Sequence, residues 1–280
     1  MNTYINFNGS IIRSDKKVIG ADNRGLRYGD GLFETIKMIN NKIILSKYHF
    51  ERLFAGLKLL QFDLPVFFNE ENLTQQIVTL CKKNNHQKAA RIRLMIFRGN
   101  GGLFDPENHF PNYIIQSWPL ALENKNINEN GLVVSIFPDG KKACDNFSNI
   151  KTNNFLVYAM AALFAKKNQL NDCLILNSYD RICESTIGNV FCIKDGIIST
   201  PQLAEGCVAG VMRRFLLDKC KDENFIINET QLDFDALKNA DEIFLSNAIY
   251  GIRWIKKMDE NGYGNLLTTD IYNKLLKNLS

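Results

Sequence analysis

Residues 182–191 read Ile-Cys-Glu-Ser-Thr-Ile-Gly-Asn-Val-Phe and set a carboxylate, Glu184, between two apolar runs, 173–176 and 190–193. Short apolar runs bounded by turn residues fold as buried strands, so Glu184 falls where one such strand gives way to the next. Burial disfavours an ionised carboxylate unless a cation compensates it. Whatever this chain folds into must supply that cation, a surface lysine in the simplest case.

The rest of the composition narrows the choice. A 280-residue chain that is 45% hydrophobic and 23% charged is neither disordered nor collagen-like, and its length suits two domains or one large one. A net charge of +4 from scattered lysines predicts no nucleic-acid partner but is compatible with a small anionic substrate. Seven cysteines without a CxxC pair argue against a disulfide framework, and no metal site is expected. The N-terminal residues lack a basic and an apolar signal region, and no apolar run approaches membrane-spanning length; a cytoplasmic protein without membrane association is expected.

Along the chain, Asn8-Gly9 marks a hairpin between short apolar segments. Gly25, Gly29 and Gly31 predict a flexible turn before a strand over 32–39, which Asn40-Asn41 turns back. Because those glycines lead into a strand and not a helix, neither phosphate-loop fingerprint applies. Phe50, Leu53, Phe54, Leu57 and Leu60 recur at helical spacing with Arg52 just off the stripe, a residue shaped to clamp a phosphate. A second helix over 70–83 precedes a strand over 90–97, in which Arg91 and Arg93 face one way and Ile92 and Leu94 the other. A Gly-rich loop follows Arg98, and another strand covers 112–118. The polar stretch 119–131 is expected to be a linker between a small N-terminal domain, 1–118, and a large C-terminal domain, 132–280.

Beyond it come a strand over 132–137, a polar loop to 149, and a helix whose entry carries Lys151. Strands over 172–177, 190–194 and 197–200 follow, then Gly206 and Gly210 before a helix over 211–221. Backbone N–H groups at a helix start attract anions, and the glycines let a ligand approach. A strand over 242–246 runs into Asn247-Ala248, and a helix over 268–279 closes the chain. One lysine, one buried glutamate, one arginine and one Gly-led helix start are the parts that pyridoxal 5′-phosphate (PLP) requires: an amine to bond it, a carboxylate for its ring nitrogen, and donors for its phosphate.

Several motifs in order then carry a resemblance: YGDGLFET at 28–35, HFERL at 49–53, Arg98-Gly99, Lys151 with Asn154, ESTIGNVF at 184–191, GVMR at 210–213 and FLSNA at 244–248. The chain resembles the class IV aminotransferases, the fold-type IV PLP enzymes, over nearly its whole length. The resemblance implies an α+β fold of two domains, a small sandwich-like one and a larger β-barrel-like one with flanking helices, with PLP in the cleft between them and a homodimer as the usual assembly. It implies Lys151 as the Schiff-base lysine and acid/base, Glu184 as partner of the pyridine nitrogen, and Arg52 on the phosphate. Val211, Met212, Asn247 and Ala248 would complete the phosphate cup, Asn189 would order the Glu184 loop, and Arg98, Tyr28, Phe33 and Asn154 would face substrate. Tyr158 stands two residues beyond the place where relatives often carry a tyrosine for the cofactor's phenolic oxygen.

Among members, Thr35-Ile36-Lys37 differs from the Gly-Ile/Met-Arg of branched-chain aminotransferases, and Asn100-Gly101-Gly102 differs from the Arg-x-His trap of D-amino acid aminotransferases. Arg-Gly-x-Gly-Gly at 98–102, Lys-x-x-Asn at 151–154 and Asn-Ala followed by Gly-Ile at 247–252 resemble 4-amino-4-deoxychorismate lyases. The expected reaction is therefore release of pyruvate and 4-aminobenzoate, a step of folate biosynthesis, with transamination of a branched-chain or D-amino acid as the alternative.

Overall fold

The computed structural model describes residues 3–121, 127–277 and 279. Residues 122–126 of the expected linker lie outside the described residues. The chain divides into two compact units, Met1–Leu122 with Ile150–Asn154, and Glu123–Asn149 with Phe155–Ser280. The return of Ile150–Asn154 to the first unit was not expected, and it puts Lys151 there instead of in the C-terminal half.

Unit 1 contains β1 (Tyr4–Phe7), β2 (Ser10–Arg13), α1 (Arg24–Tyr28), β3 (Gly31–Ile39), β4 (Lys42–Ile43), α2 (Ser46–Leu59), α3 (Glu70–Lys83), β5 (Ala89–Arg98) and β6 (Pro111–Pro119). Its strands make one antiparallel sheet in the order β2-β1-β6-β5-β3-β4. The register pairs Glu34 with Leu94 and Leu94 with Ile115. Strand alternation sends Leu32, Ile36, Met38, Ile92, Leu94 and Ile96 to a single buried face, where Phe50, Leu53 and Leu57 of α2 and Leu73, Ile77 and Leu80 of α3 cover them. Truncating any of these leucines to alanine would cost about 2–5 kcal/mol. The expected flexible turn at Gly25–Gly31 is instead the helix α1: the Asn23 side chain accepts from Leu26 N–H at its start, and Gly29, at φ 65°, ends it in the left-handed region. Local capping outweighed the glycine content.

Unit 2 contains β7 (Leu132–Lys142), α4 (Leu156–Lys167), β8 (Asp172–Asn177), β9 (Ile182–Ser185), β10 (Asn189–Lys194), β11 (Ile197–Pro201), α5 (Val211–Asp222), β12 (Ile227–Thr230), α6 (Phe234–Lys238), β13 (Glu242–Asn247), β14 (Gly251–Met258), β15 (Asn261–Gly262) and α7 (Leu266–Ile271), which runs on as a π-helical turn over Tyr272–Leu276. The sheet is mixed, ordered β12-β11-β10-β13-β14-β7-β8-β9 with β15 on β14. It curls until β9, at the end of that path, lies against β10 and β11. Curling explains why β9 is buried along its whole length, with Glu184 inside the strand and not in a loop. Strands β9, β12, β14 and β15, helix α6 and the second half of β7 escaped the sequence. Strand β14 reads Gly-Ile-Arg-Trp-Ile-Lys-Lys-Met, with too little alternation to announce itself. Strand β7 continues past Pro138 and Gly140, because its pairing with β8 shifts between Ile136 and Lys141, a bulge that the 138–140 loop signal concealed. Among the described residues no helix is long and apolar enough to cross a membrane.

Candidate active site

Unit 1 presents Lys151 by adding its segment to the start of β3. Phe33 N–H donates to Lys151 O at 2.9 Å, Asn153 N–H donates to Gly31 O at 2.9 Å, and Asn153 Nδ2 donates to Ile96 O at 3.0 Å. These bonds fix the residue without drawing on its amine. That amine lies over the Phe33 ring, 4.7 Å from its centroid, and the guanidinium carbon of Arg93 lies 3.8 Å from the same centroid. Burial, and then the neighbouring Arg91, lower the Arg93 pKa below its ordinary value. Asn154 sits close against Gly29, where a Cβ would strike its Oδ1, so the α1 terminus and the lysine segment are in contact. Tyr28, at the end of α1, is partly open to solvent and stacks on Arg24.

On the opposite, helix-covered face of β3 sits Glu34, only 1% exposed. Its Oε1 accepts from Arg52 Nε at 2.8 Å, and its Oε2 accepts from Arg52 Nη2 at 2.6 Å and from His49 Nδ1–H at 2.7 Å. Burial opposes the charge, but Arg52 and His49 more than offset it and hold the carboxyl at about 2. Arg52 is therefore a fixed cation on a rigid helix, the form in which an arginine meets phosphate with least reorganisation.

Arg98 differs from its expected role on substrate. It is 6% exposed and lies over the Phe62 ring. Nε donates to Asp30 Oδ2 at 3.0 Å, Nη1 to Gln61 O at 3.3 Å and His109 Nδ1 at 2.7 Å, and Nη2 to Leu60 O at 2.6 Å. Asp30 also receives Arg24 Nε at 2.8 Å. A guanidinium committed in this way is a structural bracket, which corrects its assignment to a substrate carboxylate. Arg98→Lys should lower Tm, at a cost of about 1–3 kcal/mol for the buried bonds one ammonium cannot reproduce, and leave KM unchanged; thermal melts and steady-state kinetics check this.

In unit 2, Glu184 is 3% exposed. Its Oε1 accepts from Tyr158 Oη at 2.6 Å and pairs with Lys142 Nζ at 3.2 Å, while Oε2 accepts from Val208 N–H at 3.0 Å. Lys142 also donates to Tyr158 Oη at 2.6 Å and to Ser148 O at 3.1 Å. Burial, and then Glu184, raise the Tyr158 pKa, so the hydroxyl stays protonated and donates. The compensating cation demanded by the sequence is thus a buried lysine, delivered by the bulge of β7.

Asn189 Nδ2 donates to Val208 O at 2.8 Å. Since Val208 N–H is on Glu184, these two side chains grip one residue's backbone on the way into α5. What Asn189 orders is therefore the approach to that helix and not a loop around Glu184. Gly210 precedes α5 and offers no side-chain cap, while Val211 and Met212 are each 3% exposed. A Cβ on Gly210 would run into Asn189 Oδ1. Gly210→Ala should displace Asn189 and destabilise the unit by about 1–3 kcal/mol, read as a lowered Tm. Asn247 Oδ1 accepts from Ile249 N–H at 3.0 Å and Tyr250 N–H at 2.9 Å, closing the turn that contains Ala248. Beside it on β13, Ser246 pairs with Asn189 across the sheet, and its buried Oγ has no hydrogen-bond partner among the described residues.

Each unit therefore gathers part of the expected set. Unit 1 holds Tyr28, Phe33, Arg52, Arg98, Lys151 and Asn154; unit 2 holds Glu184, Asn189, Val211, Met212, Asn247 and Ala248. Sequence reasoning missed Glu34, His49, Arg93, Lys142 and Asn153 as contributors. The alternation of Arg91 and Arg93 with Ile92 and Leu94 signalled Arg93, and Glu34 and His49 lie inside quoted motifs. Lys142 gave no signal.

The amino-transferase class IV family profile matches residues 31–258. A putative branched-chain-amino-acid aminotransferase of Methanocaldococcus jannaschii is 25% identical over 274 residues, 97% of this chain and 93% of that one. An aminodeoxychorismate lyase of Bacillus subtilis is 28% identical over 92% of this chain and 87% of its own, and a D-alanine aminotransferase of Staphylococcus haemolyticus is 27% identical over 94% and 92%. In fold, the chain is similar to the T.th. branched-chain amino acid aminotransferase solved with pyridoxamine 5′-phosphate, with TM-score 0.87 and 19% identity over 100% of this chain and 94% of that one. The relatives divide among three activities at similar identity, but they and the profile agree on one point: the chain belongs to the amino-transferase class IV family and is an enzyme of that family.

Proposed function

We propose that this chain is a PLP-dependent lyase that converts 4-amino-4-deoxychorismate to 4-aminobenzoate and pyruvate, acting as a cytoplasmic homodimer. Three features of the residues present fit the cofactor. Val211 and Met212 start a buried helix without a side-chain cap, a ready phosphate site. The Ser246 hydroxyl beside Asn189 is buried without a partner among the described residues. Glu184 keeps an acceptor position on Oε2, the oxygen that receives Val208 N–H. Arg52, Val211, Met212 and the Asn247-Ala248 turn would hold the phosphate, Glu184 the ring nitrogen, and Lys151 the carbonyl carbon. When bound, the cofactor supplies an electron sink at the substrate's amine-bearing carbon.

The observation that carries the choice of substrate is the Phe33 ring, with Lys151 Nζ and the Arg93 guanidinium both over it. A six-membered cyclic acid would lie beside this ring with its carboxylate on Arg93 and the amine-bearing carbon towards Lys151. Lys151 Nζ takes the proton from that carbon. The bond from the ring to the enolpyruvyl oxygen then breaks, the ring becomes aromatic, and the departing enolpyruvate gains a proton to become pyruvate. Arg98 is bound inside its unit, and the loop after it, Gly99 to Phe104, carries no cation, which disfavours a loop-borne carboxylate trap of the D-amino acid type.

The test is an assay of pyruvate and 4-aminobenzoate release without any keto acid, beside a panel of branched-chain and D-amino acid donors with 2-oxoglutarate. Stoichiometric release of both products supports the lyase. Amino-group transfer without pyruvate release would replace it with an aminotransferase. Arg93→Leu should raise KM for the acid substrate about 10- to 100-fold, from loss of one charge-assisted contact of about 1.5–3 kcal/mol.

A further inference from the structure

Within unit 2, Glu184 already has three hydrogen-bonding partners. A carboxylate offers about four acceptor positions. Tyr158 and Lys142 occupy Oε1, and Val208 N–H occupies one position on Oε2. Tyr158 and Lys142 are also joined to each other at 2.6 Å, and Lys142 is anchored further on Ser148 O, so the three groups form a closed network that cannot rotate piecemeal.

Among the described residues, the thiols of Cys183 and Cys207 are also coupled to Glu184. Burial and then Glu184 push Cys183 up, while burial drives Cys207 to about 12 against the opposing pull of Arg213. Both are neutral, and Tyr158 is neutral, so Lys142 is the cation that acts directly on the carboxylate among the described residues.

Resting on the reading of Glu184 as the ring-nitrogen partner, we propose that Lys142 and Tyr158 are positioning residues that fix Oε1, reserve the remaining acceptor direction on Oε2 for that nitrogen, and, through the Lys142 charge, weaken the carboxylate's hold on the nitrogen's proton. The sign follows from electrostatics. Each donor on the carboxylate drains negative charge that would stabilise a protonated ring, and a full cation drains more than a neutral hydroxyl. Taking Lys142 away leaves the ring as the carboxylate's cationic partner, so the ring nitrogen holds its proton to higher pH. The device moderates the electron sink, and it does so from the bulge of β7 without touching the cofactor.

The experiment reconstitutes the full-length enzyme with PLP labelled with 15N at the ring nitrogen and follows that nitrogen's NMR signal against pH, with Tm recorded for every protein. Lys142→Met should raise the protonation midpoint by about one pH unit, tenfold in proton affinity. Tyr158→Phe should move it in the same direction by less, and Lys142→Arg should restore the parent midpoint. Glu184→Gln is the control and should shift the signal to the unprotonated value. If Glu184→Gln leaves the signal unmoved, the ring-nitrogen reading itself falls. If it moves the signal while Lys142→Met and Tyr158→Phe lower Tm without moving the midpoint, their role is structural only and the inference is overturned. Should Lys142→Met fail to fold, the Tyr158→Phe midpoint decides: a rise supports the inference and an unchanged value overturns it.

Discussion

Lys151→Ala should abolish the absorbance of the linked cofactor and reduce turnover by about a thousandfold or more while leaving the protein folded. The size follows from the two tasks of one amine. On the proposed function it would bond the cofactor carbonyl carbon and move the proton at the amine-bearing carbon of the substrate; general acid–base transfer alone is worth about 10²–10⁴-fold. Folding survives because unit 1 holds this residue through its backbone. Phe33 N–H finds the Lys151 carbonyl, and Asn153, by main chain and side chain, ties the segment to Gly31 and Ile96. Alanine removes the cation–π contact with Phe33, a loss of about 0.5–2 kcal/mol. Turnover measured beside a thermal melt separates the two effects. A variant with parent-like turnover would remove Lys151 from the chemistry.

Glu34→Gln should have the largest effect on stability. Its carboxylate neutralises Arg52 and accepts from His49 inside the α2–β3 packing. An amide keeps the shape but presents N–H groups where acceptors are needed and leaves the cation without this partner, a loss of about 3–5 kcal/mol. A fall in Tm of about 6 °C or more is expected, with weaker PLP binding because Arg52 is no longer held. The pH dependence follows from the same pair. The folded carboxyl titrates at about 2, below the ordinary 4.5. Its contribution is therefore complete above pH 4.5 and is lost as pH falls towards 2, worth about 3 kcal/mol in all. The acid limb of the stability curve should be steep in the parent and flatter in Glu34→Gln. Equal acid limbs in urea titrations between about pH 2 and 5 would contradict this account of Glu34.

Much of the fold that carries these residues could be read from the chain because its patterns are local. The strand over 172–177, the helix over 70–83 and the Gly-led start of α5 fall where periodicity and turn residues put them. Glu184 stood out as a carboxylate beside buried apolar runs, where a charge is costly, whereas Lys151 drew attention only together with the motifs around it. What stayed hidden depends on distant pairing. Lys142 reaches Glu184 because β7 bulges against β8, and the register shift leaves no mark beyond Pro138 and Gly140, which read as a loop. Arg98 looked like a substrate ligand because its partners, Asp30, Leu60, Gln61 and His109, come from three separate stretches. The segment Ile150–Asn154 joins unit 1 by pairing with β3, a contact between stretches far apart in the chain that no local pattern encodes.

The central claim is that Lys151 bonds PLP. Borohydride reduction of the PLP-loaded enzyme followed by proteolysis and mass spectrometry tests it directly. The account predicts a phosphopyridoxyl adduct on the peptide that contains Lys151. An adduct on Lys142 instead, or none on the Lys151 peptide, would contradict it.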